Sequence, residues 1–219
     1  MFKHVKELCT IDIESYYTEK GRYYITPNGN HYPSVTTVLG NASDGDWLDE
    51  WRQRVGNEEA DRVSRFAAQR GTAFHEMAEA YLKNDPDYKK GRLPIEKSNL
   101  FSIKKHLDEH VGLIVGLEIP LWSDELRIAG RTDLICKWDN EWAVCDFKTS
   151  RRVKERDDIL GYFRQKSAYA FMFNERYGLN IDKIVTIMAI DGGKSKIFVE
   201  SAADHIDDYK KLREKVSYL

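Results

Sequence analysis

The chain is poor in the features that would remove it from ordinary globular proteins, and each shortage excludes something. Its 3 cysteines, Cys9, Cys136 and Cys145, are odd in number and show no C-x-x-C spacing, which speaks against a disulfide framework or a zinc site and fits a reducing cytoplasm. No apolar run approaches a membrane span. The first twenty residues mix Lys3 and Lys6 with Glu7, Asp12, Glu14 and Glu19, which is neither a signal peptide nor an acid-poor transit peptide. There is no excess of one charge either. With 34 basic against 36 acidic residues the net charge is −2, so contact with nucleic acid must use a local patch and not the overall field. No G-x-x-x-x-G-K-[ST] occurs, so no nucleotide cofactor is expected.

What is present suits one packed core. Hydrophobic residues make up 42% of 219, without repeats, low-complexity tracts or linkers, and the whole of 1–219 reads as one domain. A hairpin and helical part is expected over about 20–110, a catalytic sheet core over about 111–200 and a C-terminal helix over about 203–217. Arg22 to Thr26 and His31 to Thr36 flank the turn-rich Pro27-Asn28-Gly29-Asn30 and read as the hairpin. Val63, Phe66, Ala67, Phe74, Met77, Ala78 and Tyr81 recur at helical spacing from Glu58 to about Lys83, with Gly71 marking a break or a close approach. A second helix is expected from about Ile95 to His110 behind Pro94. Strands are expected at Leu113 to Leu121, Arg127 to Trp138 and Glu141 to Thr149. A helix from about Asp157 to Tyr177, strands at Lys183 to Ile190 and Lys196 to Val199, and a helix from about Ala203 complete an α/β (α+β) fold whose central mixed β-sheet is flanked by helices.

Strand pairing alone brings two carboxylates together. If Asp139-Asn140 is a two-residue hairpin loop, Trp138 pairs with Glu141, and the register puts Asp133 opposite Asp146. Side-chain alternation then sets Arg131, Asp133, Asp146 and Lys148 on one face, with Leu134, Cys136, Ala143, Cys145 and Phe147 on the other. Two such carboxylates repel unless a proton or cation intervenes, and Mg2+, with Mn2+ as substitute, suits oxygen ligands that leave room for water and phosphate. By spacing alone, D…DxK is more often a surface salt-bridge cluster, and a three-residue turn would send the aspartates to opposite faces.

Four segments, in order, carry a family resemblance. Arg70-Gly71-Thr72-Ala73-Phe74-His75, Gly130-Arg131-Thr132-Asp133, Asp146-Phe147-Lys148-Thr149-Ser150 and Gln165-Lys166-Ser167-Ala168-Tyr169 resemble the successive motifs of the PD-(D/E)XK nucleases, in particular the RecB-like exonuclease branch. Tyr32-Pro33-Ser34-Val35-Thr36-Thr37 is similar to the start of the same domain in mitochondrial genome maintenance exonucleases and bacteriophage relatives. The resemblance implies a restriction-endonuclease-like core and metal-dependent DNA cleavage. It implies Asp133, Asp146, Lys148, Gln165 and Tyr169 as catalytic residues, and His75, Asp133, Asp146, Phe147 and Glu118 around the metal. Contacts to DNA are expected from Arg70, Arg131, Thr149, Ser150, Arg151, Arg152, Lys154 and Arg164. The proline of the family name is absent, Thr132 standing before Asp133. Too few cysteines remain for the iron–sulfur cluster of some relatives. Tyr23, Tyr24, Tyr32, Trp47, Trp51 and Phe74 are the candidates for stacking on bases. The activity expected is an exonuclease on single strands or duplex ends, in a bacterial or phage-infected cytoplasm, with replication or recombination proteins as possible partners. An endonuclease and a non-cutting nucleic-acid-binding protein are the alternatives, and the oligomeric state is left open.

Overall fold

The computed structural model describes residues 1–5, 11–42 and 46–216, without the side-chain surroundings of 46–49; Cys9 and the indole of Trp47 lie outside this set. Near the N-terminus, β1 (Lys3–His4) is followed by a three-stranded antiparallel sheet of β2 (Glu14–Thr18), β3 (Gly21–Ile25) and β4 (His31–Pro33). The expected hairpin is thus β3–β4, turned at Gly29 with its φ of 79°, and β2 adds a third strand. Its second arm is shorter than expected. Val35 opens a helix, α1 (Val35–Ala42), because Ser34 Oγ accepts the Thr37 N–H at 3.0 Å and caps a run whose β-branched residues read as strand.

Two helices follow, α2 (Asp46–Val55), which the sequence reading missed, and α3 (Asn57–Leu82). Gly71 does not break α3, and a Cβ there would meet nothing within 4 Å, so neither expectation for this glycine holds. The apolar stripe is buried only in the second half. Phe74, Met77, Ala78 and Leu82 are in the core, while Phe66 is 55% exposed. Next, α4 (Pro94–His110) starts with Pro94 in its first turn and the Glu96 carboxylate accepting the Leu93 N–H at 2.8 Å.

The main sheet is mixed and six-stranded, in the order β1, β5 (Val111–Ser123), β6 (Ile128–Trp138), β7 (Glu141–Ser150), β8 (Lys183–Ile190), β9 (Lys194–Ser201). β7 and β8 are parallel, which requires a crossover, and α5 (Leu160–Tyr177) supplies it before Gly178, at φ 64°, ends the helix. The chain closes on α6 (Ala203–Lys215). Two apolar layers result. Ile135, Val144, Ile184 and Met188 pack with Phe163 and Phe173 of α5; Leu134, Cys136, Cys145 and Val185 pack with Phe74 and Met77 of α3 and Leu100 and Ile103 of α4. Each fully buried side chain of this size contributes roughly 1.5–3 kcal/mol. The mixed α/β architecture is the one expected. No helix among the described residues is long and apolar enough to cross a membrane.

Candidate active site

The β6–β7 hairpin has the two-residue loop deduced from the sequence. Asp139 and Asn140 sit at φ 50° and 67°, and the ladder runs in the expected register from Trp138↔Glu141 to Leu134↔Cys145. One residue further the expectation is corrected. Asp133 and Asp146 are not a ladder pair; the Phe147 N–H turns to the Asp133 side chain instead, 2.7 Å from Oδ2. The neighbouring β5–β6 ribbon changes face at the same place. Leu117 and Leu134 belong to the layer under α3 and α4, whereas Ile119 and Leu121 belong to the layer under α5. Between them stands Glu118 with φ 50°, a left-handed conformation that costs a non-glycine residue about 1–2 kcal/mol. Strain of this kind is characteristic of functional sites.

The strands splay around a cavity of about 580 Å³. Its walls bring together His75 of α3, Glu118, Asp133, Asp146 and Lys148 of the sheet, and Gln165 and Tyr169 of α5. Gly130 permits this approach of α5, since a Cβ there would lie 2.9 Å from the Tyr169 ring. One ligand atom each from His75, Glu118 and Asp133 lie within 4.8 Å of one another. Asp146 stands outside that cluster, 2% exposed, with its Oδ2 2.5 Å from Lys148 Nζ. The Phe147 ring has no donor and packs between Phe74 and His75, so only its backbone faces the site, as donor to Asp133.

The electrostatics follow from crowding. Burial opposes charge on Asp133, but His75, with Nδ1 3.3 Å from Oδ2, together with Lys148 and the Phe147 N–H, holds its carboxyl below the usual range. Burial likewise opposes charge on Lys148, and Asp146 and Asp133 overcome it, so the ammonium is held above the ordinary lysine value. His75 is pushed up to about 8 because Asp133 outweighs its burial. Burial, then the charge of Asp133, pushes Glu118 up to about 7. A carboxyl that retains its proton beside a second carboxylate and an imidazole marks a place where a cation can replace that proton. The donors are oxygen-rich, close and partly accessible, and they fit a divalent metal ion.

A pH dependence follows for the metal-free protein. Both groups bind protons more tightly folded than unfolded, so their stabilisation is complete at low pH. It is lost as pH rises, from 4.5 through about 7 for Glu118 and from 6.5 through about 8 for His75. In EDTA, stability should fall across this window, by about 2 kcal/mol for His75 alone. A divalent cation competes with those protons, so it should stabilise most at the alkaline end. Thermal melts from pH 5 to 8.5, with and without Mg2+ or Mn2+, check this; a flat profile in EDTA contradicts it.

The expected DNA-contacting residues divide. Arg70 is 10% exposed and bound through both terminal nitrogens to Asp191, a latch between α3 and the end of β8 and not a free contact. Arg164 pairs with Asp208 at 3.2 Å and Arg131 with Asp12. Ser150 is buried, its hydroxyl donating to the Arg152 carbonyl at 2.7 Å, and Thr149 is half-buried. Arg151 and Arg152 are exposed, and Lys154 lies 5.6 Å from the Tyr162 ring centroid, on which Lys148 also sits at 5.0 Å. Of the aromatic candidates, Tyr23, Tyr24, Tyr32 and Phe74 are buried and Trp51 is half-buried. Sequence reasoning missed Tyr162, Arg22, Thr36, Glu76 and Glu79 near the site. Glu79 has a signal, standing one turn after His75; Arg22 and Thr36 have none, since they arrive through the docking of the small sheet and α1.

The sequence model of the PD-(D/E)XK nuclease superfamily matches residues 94–219, a span holding Glu118, Asp133, Asp146, Lys148, Gln165 and Tyr169 but not His75. No curated protein matches. Among solved structures, the crystal structure of SSO0001 is 16% identical with a TM-score of 0.40, covering 77% of this chain and 72% of its own. A Eubacterium rectale protein named as a candidate exonuclease is 9% identical with a TM-score of 0.41, covering 68% of this chain and 69% of its own.

Proposed function

Because the chain belongs to the PD-(D/E)XK nuclease superfamily, we propose that it is a DNA exonuclease, using Mg2+ or in its place Mn2+, that acts on single strands or opened duplex ends. The observation that carries this reading is the convergence of His75, Glu118, Asp133, Asp146 and Lys148 on one cavity. At about 580 Å³ it has the size of a small-molecule pocket, which suits a nucleotide or two of a single strand better than a duplex. The order of the four motifs favours the RecB-like branch, and with it a role beside replication or recombination proteins.

A cation held by His75, Glu118 and Asp133, with Asp146 beside them, would supply Lewis acidity toward a phosphoryl oxygen and a lowered pKa for the attacking water. The protein's own groups position the rest. Lys148 stays protonated near neutrality, so it serves as a fixed positive charge against the negative charge that builds on the phosphoryl oxygens, and not as a base. Burial keeps the Tyr169 phenol protonated far above the ordinary tyrosine value, so Tyr169, and Gln165 one turn before it, offer neutral hydrogen bonds to the strand or the nucleophile. Arg151, Arg152 and Lys154, beyond the end of β7, are placed to meet backbone phosphates on the approach.

The test is digestion of end-labelled linear single-stranded DNA beside a covalently closed circle, in Mg2+, Mn2+ and EDTA. Linear DNA is expected to shorten from its ends, the circle to survive, and EDTA to stop the reaction. Cutting of the circle overturns the exonuclease reading in favour of an endonuclease. Absence of cleavage of any DNA in Mn2+ overturns the enzymatic reading.

A further inference from the structure

We propose that Arg22 is a phosphate-binding residue that receives a second phosphate of the DNA strand in the cavity, distinct from the one being cut; this rests on the nuclease reading above. Arg22 lies on β3, outside the 94–219 span that the family shares, yet its side chain lines the same cavity as Asp133, Asp146 and Lys148. The charges around it give the first argument. In that cavity His75 faces Asp133, Lys148 faces Asp146, and Arg131 faces Asp12. The acidic wall is partly neutralised too, Glu76 by Arg92 and Glu79 by Lys83. Among the described residues Arg22 has no carboxylate within ion-pair distance, which leaves it the cavity cation without a counter-charge.

The second argument is preorganisation. The Arg22 N–H donates to Thr37 Oγ1 at 3.0 Å, and its carbonyl accepts from the Thr37 hydroxyl at 3.0 Å and the Ser34 N–H at 2.8 Å. The guanidinium lies over the ring of Tyr24, 5.3 Å from its centroid, and that tyrosine is itself 1% exposed. A planar fork held against an aromatic face loses little freedom when it binds, and its paired N–H groups match two phosphate oxygens. Arg22 is also out of ion-pair reach of Asp133, Asp146 and Glu118, where the scissile phosphate must sit. Lys148 stands at those carboxylates to meet the phosphate being cut, which leaves Arg22 for a neighbouring phosphate of the same strand, internal or terminal; a methylphosphonate effect confined to the cleaved linkage overturns this placement.

The experiment measures binding of short 3′-labelled single strands to the full chain carrying Asp146→Asn, which prevents cleavage, with and without Arg22→Gln or Arg22→Lys. Arg22→Gln should weaken binding about tenfold and make the dependence of log affinity on log salt shallower by about 0.7, the contribution of one single-strand phosphate. Arg22→Lys should fall between. Neutral methylphosphonates placed at one linkage at a time, and removal of the 5′-phosphate, locate the partner. The sensitive position costs affinity with Arg22 present and nothing after Arg22→Gln, and it is terminal or internal accordingly. Unchanged affinity and salt slope in Arg22→Gln overturn the proposal, as does weakened binding with an unchanged slope, which would mark a structural role. Failure of the nuclease reading shows separately, as absence of cleavage by the unsubstituted chain in Mn2+; absence of all DNA binding overturns both.

Discussion

Asp133→Ala is expected to abolish cleavage, by about 10³-fold or more in kcat, because it removes the carboxylate shared by the metal cluster and the His75 pair. It should also destabilise the fold. The Phe147 N–H now donates to Asp133 Oδ2, and without that acceptor a buried donor is left unpaired at a cost of about 1–3 kcal/mol. Asp133→Asn separates the two effects. The amide oxygen can still accept from Phe147, so in EDTA Asp133→Asn should recover the part lost with that acceptor in Asp133→Ala, though not the contribution of the His75 pair, while activity stays lost. His75 should change as well, its imidazole falling from about 8 toward the ordinary value when the negative charge goes. Denaturant melts, cleavage assays and titration of His75 by NMR check the three parts. An active Asp133→Asn would sink the assignment of this carboxylate as a metal ligand.

How much of this was legible in the sequence depends on the range of the interaction that decides it. The Asp139-Asn140 loop is local chemistry, two residues that tolerate positive φ, so it fixed the register of β6 and β7 in advance and hence the neighbourhood of Asp133 and Asp146. Side-chain alternation held for the residues it named, with Leu134, Cys136, Ala143, Cys145 and Phe147 in one apolar layer and Arg131, Asp133, Asp146 and Lys148 at the cavity, and it failed further along the β5–β6 ribbon. Period-two reasoning assumes extended backbone throughout, and Glu118 at φ 50° reverses the face of the β5–β6 ribbon. A glutamate gives no composition cue for a left-handed turn, so the splay that opens the cavity was invisible. The departure from the rule coincides with the site, as it does where function and local preference conflict.

The helices show the same division. Pro94 with Glu96 starts α4, and Gly178 ends α5, both through bonds within a few residues, which is why the start behind Pro94 and the end at Tyr177 are legible in the sequence. α1 was misread because Val35, Thr36, Thr37 and Val38 favour strand on intrinsic grounds, and the Ser34 cap with the Thr37 bonds to Arg22 outweighs that preference. Periodicity marked α3 as a helix but could not say that only its second half meets the sheet, since Phe66 and Met77 look alike in sequence and differ in what packs on them. The partner of Arg70 is hidden in the sequence for a related reason: Asp191 lies 121 residues away and holds its guanidinium. His75 is the converse case. A lone histidine on a helix carries no chemistry by itself, and its meaning came from the resemblance, then from its proximity to Asp133 and Glu118.

Lys148→Ala should be the other large loss, and its cause differs from that of Asp133. The ammonium lies 2.5 Å from Asp146, which is 2% exposed, and the pair faces the cavity. Removing a preorganised positive charge from the site of developing negative charge is expected to lower kcat by about 10²–10³-fold, while DNA affinity changes by less than about tenfold because the ground-state strand has other cationic contacts. The buried Asp146 would also lose its counter-charge, at about 3 kcal/mol in EDTA, the low end of the range for breaking a buried pair because Lys148 is itself 18% exposed and water can enter. That loss should shrink when Mg2+ is added, since a cation at the neighbouring donors stabilises the same carboxylate. Lys148→Arg should keep most of the stability and recover little of the rate, because the charge persists but the planar fork cannot occupy the position of Nζ. The deciding comparison is single-turnover cleavage against melting temperature, with and without Mg2+, for the two variants. If Lys148→Ala cleaved at the parent's rate while losing the predicted stability, Lys148 would be a structural partner of Asp146 and the charge stabilising the transition state would have to come from elsewhere in the cavity.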